Sequence, residues 1–524
     1  MSDDAPQNPA AVRRLNVVIR ADASTQIGAG HVMRCLTLAQ ALRAEGHTVT
    51  FIIREADGDL HDLVATRHGF QVARLPTQQT STCATKPELA DADETGAALE
   101  GHTVDWVIVD HYQLGAMWEK RLASTGSRVL AIDDFASRDH ACDILVDHNL
   151  SSPSVYENRT EADTELLLGP RYALLRPTFV PSADPTATPD QPTTVAVSFG
   201  GSDATGQTWK VLQALRHAIV SPSRVIVIAG RNHPELRRLQ QLAADWSAVD
   251  LHEFVDDLAP LMAEADLAIG GGGVSALERL AMGIPSICLT TADNQERPAA
   301  ALAEAGALLY LGRATGTGVD ALTAAVNVMR NPYLRQAMRS RGFALTDGRG
   351  PWRVVRAMRR RTPVTIRRAM ASDRSRIYAW RNHPAVRATA IDPTEISRTT
   401  HDTWFARVLE DPDRHLLIAE QHGTPIGVVR YDIRRSTARA EVSIFLDPTQ
   451  LGSGMGTVVL KAANAWLLDQ ENSVERIEAK VLGTNPRSRR TFEAAGFSVQ
   501  QTLFTLTRDQ SMRRGGEAVT YGGS

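Results

Sequence analysis

The sequence lacks long apolar runs, is poor in aromatic residues and carries almost balanced charge. Only 5% of its 524 residues are aromatic, and no apolar stretch approaches the roughly 20 residues that a membrane-spanning helix needs. The formal net charge of −3 gives no indication of the basic surface that nucleic acid or an anionic membrane attracts. We therefore expect neither nucleic acid nor a membrane among its partners.

Cysteine is also scarce, and its spacing excludes a disulfide framework. Cys35, Cys83, Cys142 and Cys288 are scattered, without a Cys-x-x-Cys pair, which is typical of reduced, mostly buried thiols. No metal-ligand spacing is visible, so we expect no metal and no bound cofactor. Residues 1–14 lack the apolar core of a signal peptide. We expect them to be disordered and the protein to be cytoplasmic.

Short apolar strands alternate with helices through two successive stretches, a pattern typical of doubly wound parallel α/β domains. A segment dense in Pro, Thr, Ser and Asp separates the two stretches and indicates a linker. After a short basic hinge the periodicity restarts. The predicted boundaries are 1–14 for the disordered N-terminus, 15–176 and 195–358 for the two α/β domains, 177–194 for the linker, 359–363 for the hinge, 364–510 for a third domain and 511–524 for a loose tail.

The most informative stretch is residues 20–34, RADASTQIGAGHVMR. It follows a β-branched strand and opens a helix with apolar residues at helical spacing. Gly28 and Gly30 allow positive φ and close backbone approach, and the helix start offers free N–H groups to phosphate. His31, at this turn, is a candidate general base. The same pattern also fits a tight turn that binds nothing.

Polar side chains follow several of the predicted strands. In an open parallel sheet, ligands bind beyond the carboxyl ends of the strands, so these side chains are candidates for one substrate site. Helix capping and turn formation are the alternative explanation. The predicted substrate-binding residues are Arg20, Asp22, Gly28, Gly30, Asp110, His111 and Tyr112.

The second α/β domain contains two glycine-rich turns between a strand and a helix. Residues 270–273 are four consecutive glycines, which suit a backbone cradle for a diphosphate. Glu278 lies one turn into the following helix, where a carboxylate can accept hydrogen bonds from ribose hydroxyls. Two tight turns without a ligand remain the alternative. The predicted nucleotide-binding residues are Gly201, Ser202, Gly271, Gly272, Gly273 and Glu278.

The first two domains together resemble the GT-B glycosyltransferase architecture. The stretches RADASTQIGAGHVMRCLTLA, VDWVIVDHYQLGAMWE, LLGPRYALLRPTF, VSFGGSD and residues 270–295 resemble the UDP-sugar hydrolases of pseudaminic acid biosynthesis. The resemblance implies that His31 is the general base, that Glu278 binds the nucleotide, and that Asn294 and Gln295 match the family's AxNQ segment. Leu277 departs from the Trp that often precedes this Glu.

The third domain resembles the GNAT α+β acetyltransferases. LGSGMG at residues 451–456 matches their acetyl-CoA loop, except that Leu451 replaces the usual Gln or Arg. Phe492 stands where many members place the Tyr that protonates the thiolate. Glu441 is a candidate base acting through water, and it also fits an exposed strand acid. The resemblance implies acetyl-CoA binding by Leu446, Leu451, Gly454, Gly456, Thr457, Asn485 and Ser488.

The two resemblances together imply a bifunctional enzyme with a UDP-amino sugar and acetyl-CoA as its substrates. The GNAT domain would acetylate the 4-amino group of a UDP-4-amino-4,6-dideoxy sugar, and the GT-B pair would then release UDP and 2,4-diacetamido-2,4,6-trideoxy-L-altrose, without a metal. Pseudaminic acid biosynthesis and flagellin glycosylation are the implied setting. A GT-B glycosyltransferase using a related UDP-sugar, or a domain that binds nucleotide-sugar or CoA without turnover, are the alternatives.

Overall fold

The computed structural model describes residues 14–77, 87–180, 189–200, 203, 205–219, 222–230, 233–253, 255, 257–421 and 423–500. The chain divides into two compact units, of which the first ends at Arg361 and the second begins at Thr362. Among the helices described, none combines the length and apolar character that a bilayer crossing requires. The predicted disordered N-terminus (except Arg14) and loose tail lie outside the described residues.

The first unit contains two parallel sheets. The first sheet has seven strands in the order β3-β2-β1-β4-β5-β6-β7, a doubly wound arrangement in which β1 lies centrally and its apolar residues are buried on both faces. Its strands are β1 (Asn16–Ala21), β2 (Thr48–Arg54), β3 (Gln71–Leu75), β4 (Trp106–Asp110), β5 (Arg128–Ile132), β6 (Ile144–Asp147) and β7 (Glu165–Leu168), and its helices are α1 (Gly30–Ala44), α2 (Pro87–Ala98) and α3 (Ala116–Ala123).

The second sheet has six parallel strands in the order β10-β9-β8-β11-β12-β13. Its strands are β8 (Thr194–Ser198), β9 (Arg224–Ile228), β10 (Val249–His252), β11 (Leu267–Gly271), β12 (Ser286–Thr290) and β13 (Leu309–Arg313). The helices of this part of the chain are α4 (Gln207–His217), α5 (Leu236–Asp245), α6 (Ala259–Ala263), α7 (Val274–Ala281), α8 (Glu296–Glu304), α9 (Val319–Val328), α10 (Pro332–Leu345) and α11 (Gly350–Arg361).

Helix α11 corrects two of the predicted boundaries. Val354, Val355 and Met358 are fully buried in the core of the first sheet, against α1, and burial of each such side chain stabilises the packing by about 1.5–3 kcal/mol. The last helix of the predicted second domain therefore belongs to the first domain. Residues 359–361 continue this helix instead of forming a hinge.

The predicted linker is partly structured. Pro177–Phe179 forms a 3-10 turn, and Phe179 is buried. Burial of an aromatic ring removes a large apolar surface from water, which favours packing of this segment against the fold. Residues 181–188 lie outside the described part. The described cysteines Cys35, Cys142 and Cys288 are buried free thiols, as predicted.

The second unit contains a five-stranded sheet in the order β14-β15-β16-β17-β18. Its pairs are antiparallel except β17 with β18, which is parallel. Helix α15 buries Val459, Ala463 and Leu467 in the same core as β16 and β17. The strands are β14 (Val364–Arg368), β15 (Arg414–Gln421), β16 (Thr424–Arg434), β17 (Arg439–Leu446) and β18 (Arg476–Ala479), and the helices are α12 (Arg374–Asn382), α13 (Pro384–Arg387), α14 (Arg398–Glu410), α15 (Met455–Gln470) and α16 (Pro486–Ala494).

Candidate active sites

His31 lies at the start of α1 and is held by Asp110 at the end of β4. Gly28 has a φ of 77°, which lets the chain turn from β1 into the helix, whereas Gly30 is helical with an ordinary φ, contrary to prediction. The Nδ1 atom of His31 is 2.6 Å from Oδ1 of Asp110. An Nδ1–H donating to this carboxylate leaves Nε2 as the acceptor, the tautomer that a general base needs.

Arg34, one helical turn after His31, fixes the same carboxylate. Its Nε and Nη2 lie 2.5 and 2.6 Å from the two oxygens of Asp110, and Nη1 lies 2.7 Å from Asp134 Oδ2. Burial alone would raise the pKa of Asp110, but Arg34 and His31 hold it well below its usual range. Asp110 therefore stays ionised and can stabilise an imidazolium at His31.

Two aromatic rings support the histidine. Tyr112 meets the His31 ring edge-on with centroids 4.4 Å apart, and Phe135 meets Tyr112 at 4.7 Å. Burial and the nearby Asp134 raise the pKa of Tyr112 to about 12, so its phenol remains protonated. Tyr112 is thus a predicted site residue that the structure brings to His31.

A cavity of about 230 Å³ lies within the first unit, between its two sheets. Seven of the predicted site residues line it, namely Gly30, His31, Tyr112, Gly272, Gly273, Asn294 and Gln295. The other lining residues are Ile27, Arg34, Asp134, Phe135, His148, Asn149, Leu150, Val274, Leu277, Pro298 and Leu302.

The glycine run at residues 270–273 owes its composition to close packing. A Cβ at Gly270 would lie 2.4 Å from the Ser198 carbonyl oxygen, and one at Gly272 would lie 2.9 Å from Thr290 Cγ2. A Cβ at Gly271 would meet no atom within 4 Å, and Arg279 Nη2 donates to the Gly271 carbonyl at 2.8 Å. Gly273 is the N-cap residue of α7. The run thus places a bare helix start at the cavity.

Seven described residues among those predicted for the first unit are not part of this lining, namely Arg20, Asp22, Gly28, Asp110, His111, Gly271 and Glu278. Arg20 is fully buried and forms ion pairs with Asp22 and Asp91. His111 Nε2 lies 3.5 Å from Asp22, and burial lowers the pKa of His111 to about 4, so it adjoins these ion pairs as a neutral ring. Glu278 faces Arg176, with Oε1 3.6 Å from Nη2. Gly201 and Ser202 lie outside the described residues.

Sequence reasoning missed the residues that follow β5 and β6. Asp134, His148 and Asn149 line the cavity, as does Arg34. The sequence did contain an indication of these residues, since consecutive polar residues stand at the end of each of these two strands. Which of those residues faces a ligand depends on the backbone path after the strand, and the sequence does not give that path.

Outside the cavity, three buried side chains of types that bind metals lie close together. Atoms of Glu119, His140 and Cys142 lie within 4.8 Å of one another. His140 Nδ1 is 2.7 Å from Glu119 Oε1, and Nε2 is 3.4 Å from Asp133. Burial lowers the pKa of His140, but the hydrogen bonds to these two carboxylates outweigh it and raise the pKa to about 9. A buried imidazolium between two carboxylates accounts for this group.

In the second unit, the predicted acetyl-CoA loop forms a turn at the start of α15. Gly452 and Gly454 have φ values of 80° and 85°, and Gly454 is the N-cap residue of the helix. The pairing of β17 with β18 ends at Val442 and Ala479, although β17 continues to Leu446, which is buried. Thr457 and Gly456 lie in the first turn of α15.

The remaining predicted residues of this unit have other contacts. Asn485 caps α16 by accepting from the Ser488 N–H at 3.0 Å. Glu441 Oε2 lies 2.9 Å from Lys480 Nζ and 3.7 Å from Arg434, so it is a partly exposed acid in an ion network. Phe492 is buried against Phe497, with ring centroids 5.1 Å apart.

Two domain families match the chain. Residues 199–348 match the glycosyltransferase family 28 C-terminal domain, and residues 364–498 match the acetyltransferase (GNAT) domain. The chain therefore joins a unit of two Rossmann-like parallel sheets, the second of which lies in the region of the glycosyltransferase family 28 match, to a domain that matches the GNAT acetyltransferases.

Particular relatives cover the first unit or the whole chain. The UDP-2,4-diacetamido-2,4,6-trideoxy-beta-L-altropyranose hydrolase of Campylobacter jejuni is 26% identical over 56% of this chain and 97% of its own length. An uncharacterized protein of Methanocaldococcus jannaschii is 23% identical over 92% of this chain and 96% of its own. The structure of Acinetobacter baumannii MurG superposes with a TM-score of 0.51 and 16% identity over 66% of this chain and 99% of its own, which shows the fold. The chain is thus a fusion of a unit similar to this hydrolase with a GNAT domain.

Proposed function

We propose that the first unit hydrolyses a UDP-linked diacetamido-trideoxy sugar, and that the GNAT domain acetylates the 4-amino group of its precursor. The observation that carries the hydrolase proposal is the His31–Asp110 pair facing a cavity whose other wall is the glycine turn before α7. Similarity to the Campylobacter jejuni hydrolase supports the substrate class.

The hydrolytic step follows from this geometry. His31 Nε2 takes a proton from water while the water oxygen attacks the anomeric carbon, and the bond between that carbon and the diphosphate oxygen breaks. UDP leaves with the electron pair. Asp110 stabilises the imidazolium that forms, as an ionised carboxylate beside a catalytic histidine does. The N–H groups at the start of α7 stabilise the growing charge on the diphosphate.

The mouth of the cavity carries apolar side chains, which favour a deoxygenated, acylated sugar as the substrate. Five of its lining side chains are large and hydrophobic yet well exposed, namely Ile27 at 48%, Tyr112 at 40%, Phe135 at 39%, Leu150 at 38% and Val274 at 37%. Such side chains gain free energy by covering methyl groups, at about 25 cal/mol per Å² of apolar surface buried. A 6-deoxy sugar with two acetamido groups offers three methyl groups, whereas ordinary hexoses offer none.

We place acetyl-CoA at the turn before α15. N–H groups at a helix start bind pyrophosphate, and after Val442 the edge of β17 that β18 leaves uncovered offers backbone groups to the pantetheine arm. The 4-amine attacks the thioester carbon, CoA thiolate leaves, and the amine proton passes to a water that Glu441 orders. Leu446, Leu451, Gly456, Thr457, Asn485 and Ser488 complete the proposed acetyl-CoA site. Because Phe492 carries no hydroxyl, the thiolate takes its proton from water.

Mass spectrometry of reactions with acetyl-CoA and the UDP-4-amino sugar tests both activities. Release of UDP and the free diacetamido sugar only when acetyl-CoA is present supports both assignments and their order. Acetylated nucleotide sugar without UDP release contradicts the hydrolase and leaves the acetyltransferase. Absence of acetyl transfer despite acetyl-CoA binding makes the GNAT domain a binding module.

A glycosyltransferase is the second candidate for the first unit, favoured by the glycosyltransferase family 28 match. In that case the apolar mouth would receive an acceptor. UDP release that requires an added sugar or lipid acceptor would establish it, and release into water alone would exclude it.

A further inference from the structure

The cavity contains a second histidine, His148, whose polar atoms have no use in the mechanism above. It follows directly after β6, is only 6% exposed and lines the cavity. In the described part of the chain, no residue forms a hydrogen bond with its ring. Polar groups in protein interiors are almost always hydrogen-bonded, and because His148 lines the cavity, a molecule in the cavity is available as the partner of its ring.

The environment of His148 differs from that of His31. His31 is held by the Asp110 carboxylate, whereas burial, followed by the charge of Arg34, lowers the pKa of His148 to about 4; Asp134 and Asp110 oppose this shift. At neutral pH the His148 ring is therefore uncharged. It offers one N–H donor and one acceptor and is unsuited to be a general acid.

Asp134 supplies a second unsatisfied atom in the same cavity. Its Oδ2 is bound by Arg34, and its Oδ1 is buried without a hydrogen bond of standard geometry, although the Tyr112 hydroxyl lies near this carboxylate. Asp134 and His148 follow neighbouring strands, since β5 and β6 pair in parallel with Ile132 opposite Val146. A donor and an acceptor therefore stand at one edge of the first sheet.

We infer that His148 and Asp134 form a subsite for an N-acyl group of the nucleotide sugar, with His148 donating to the amide carbonyl and Asp134 accepting from the amide N–H. This inference rests on the proposed function. A secondary amide presents one donor and one acceptor, which this pair matches. An ammonium group has donors only and leaves a donating His148 N–H without an acceptor.

His148 is the decisive member of the pair. Asp134 can only accept, and the Arg34 Nε, Nη1 and Nη2 atoms already contact carboxylates. Of the three side chains Arg34, Asp134 and His148, His148 is thus the one left to donate to the carbonyl. The subsite makes the hydrolase prefer the acylated sugar, so that the free amine is not hydrolysed before the acetyltransferase has acted.

Two substitutions test this role. His148→Val removes the donor, while His148→Gln keeps an N–H donor. The measurement is kcat/KM for UDP release from UDP-2,4-diacetamido-2,4,6-trideoxy-β-L-altropyranose and from its 4-amino precursor. We expect the preference of the wild type for the acylated sugar to fall about tenfold in His148→Val, the effect of one neutral hydrogen bond, and to persist in His148→Gln. His102→Val, at an exposed site, is the control.

Calorimetric binding to His31→Ala and to His31→Ala combined with His148→Val separates the inference from the function. We expect equal affinity for UDP in both proteins and a loss of preference for the acylated sugar in the second alone. The inference is overturned if the preference is unchanged in the double variant, or if that variant loses affinity for UDP as much as for the acylated sugar. It is also overturned if the His31→Ala protein binds the 4-amino and the acylated sugar equally well. Binding with the expected preference but no UDP release by the wild type contradicts the hydrolase function alone.

Discussion

His31 and Asp110 are 79 residues apart in sequence, yet their Nδ1 and Oδ1 atoms lie 2.6 Å apart. Parallel pairing of β1 with β4 sets Ala21 opposite Asp110, and the turn after β1 then brings the start of α1 over the end of β4. The pair thus depends on the register of the two central strands. In the function that we propose, His31 is the base and Asp110 is its positioning residue.

His31→Ala should abolish UDP release and leave acetyl transfer intact, because the two activities belong to different compact units. Separate assays of UDP and of acetylated nucleotide sugar measure this. A parallel fall of both activities would show that the division of labour is wrong. His102→Ala serves as the surface control.

Asp110→Asn should lower kcat for UDP release by about 10²–10⁴-fold with little change in KM. An amide cannot stabilise the imidazolium and favours the wrong tautomer of His31. Steady-state kinetics measure the effect, and thermal unfolding checks that the fold survives the loss of the Arg34 ion pair. A rise in KM with kcat unchanged would make Asp110 a substrate-binding residue, as the sequence predicts.

Asp91 should make the first unit sensitive to acid. Burial raises its pKa, but Arg20 and Arg54 outweigh this and hold the pKa below its usual range. The stabilisation is therefore complete above about pH 4, the unfolded value, and is lost as pH falls through the lower folded value. Asp91→Asn should lower the free energy of unfolding by about 3–5 kcal/mol at pH 7. It should also reduce the acid limb, which is the fall of the thermal unfolding temperature as pH is lowered. A variant with the wild-type acid limb would contradict the assignment.

His140 should make the first unit less stable at alkaline pH. Its pKa is raised to about 9 by Asp133 and Glu119 against the effect of burial, so its stabilisation is complete below about pH 6.5 and is lost as pH rises to 9. Urea unfolding at pH 6.5, 8 and 9 should show a decline that His140→Asn removes. A metal bound at Glu119, His140 and Cys142 would instead appear in elemental analysis of the purified protein.

Gly454→Ala should weaken acetyl transfer and leave UDP release unchanged. The φ of 85° strains any residue with a Cβ, and the strain falls on the turn that we propose for the pyrophosphate. We expect KM for acetyl-CoA to rise about tenfold. Gly423→Ala is a matched control, since Gly423 has a φ of 76° in a hairpin turn. Equal effects of both substitutions would show general destabilisation.

Much of the fold could be predicted because its signals are local. Short apolar strands alternating with helices indicate two parallel sheets, and the structure confirms both. The glycine turns before α1, α7 and α15 were predicted for the same reason. Arg20 shows the limit: it directly precedes the first turn, but the tertiary structure buries it with Asp22 and Asp91.

The sequence by itself determined the architecture, His31 at a helix start and the glycine turns, because strand periodicity and turn chemistry act over a few residues. Only the tertiary structure decided that Asp110 holds His31, that His148 faces the cavity and that α11 packs on the first sheet. These relationships depend on strand order and on the path of each loop. Contacts between segments distant in sequence fix both.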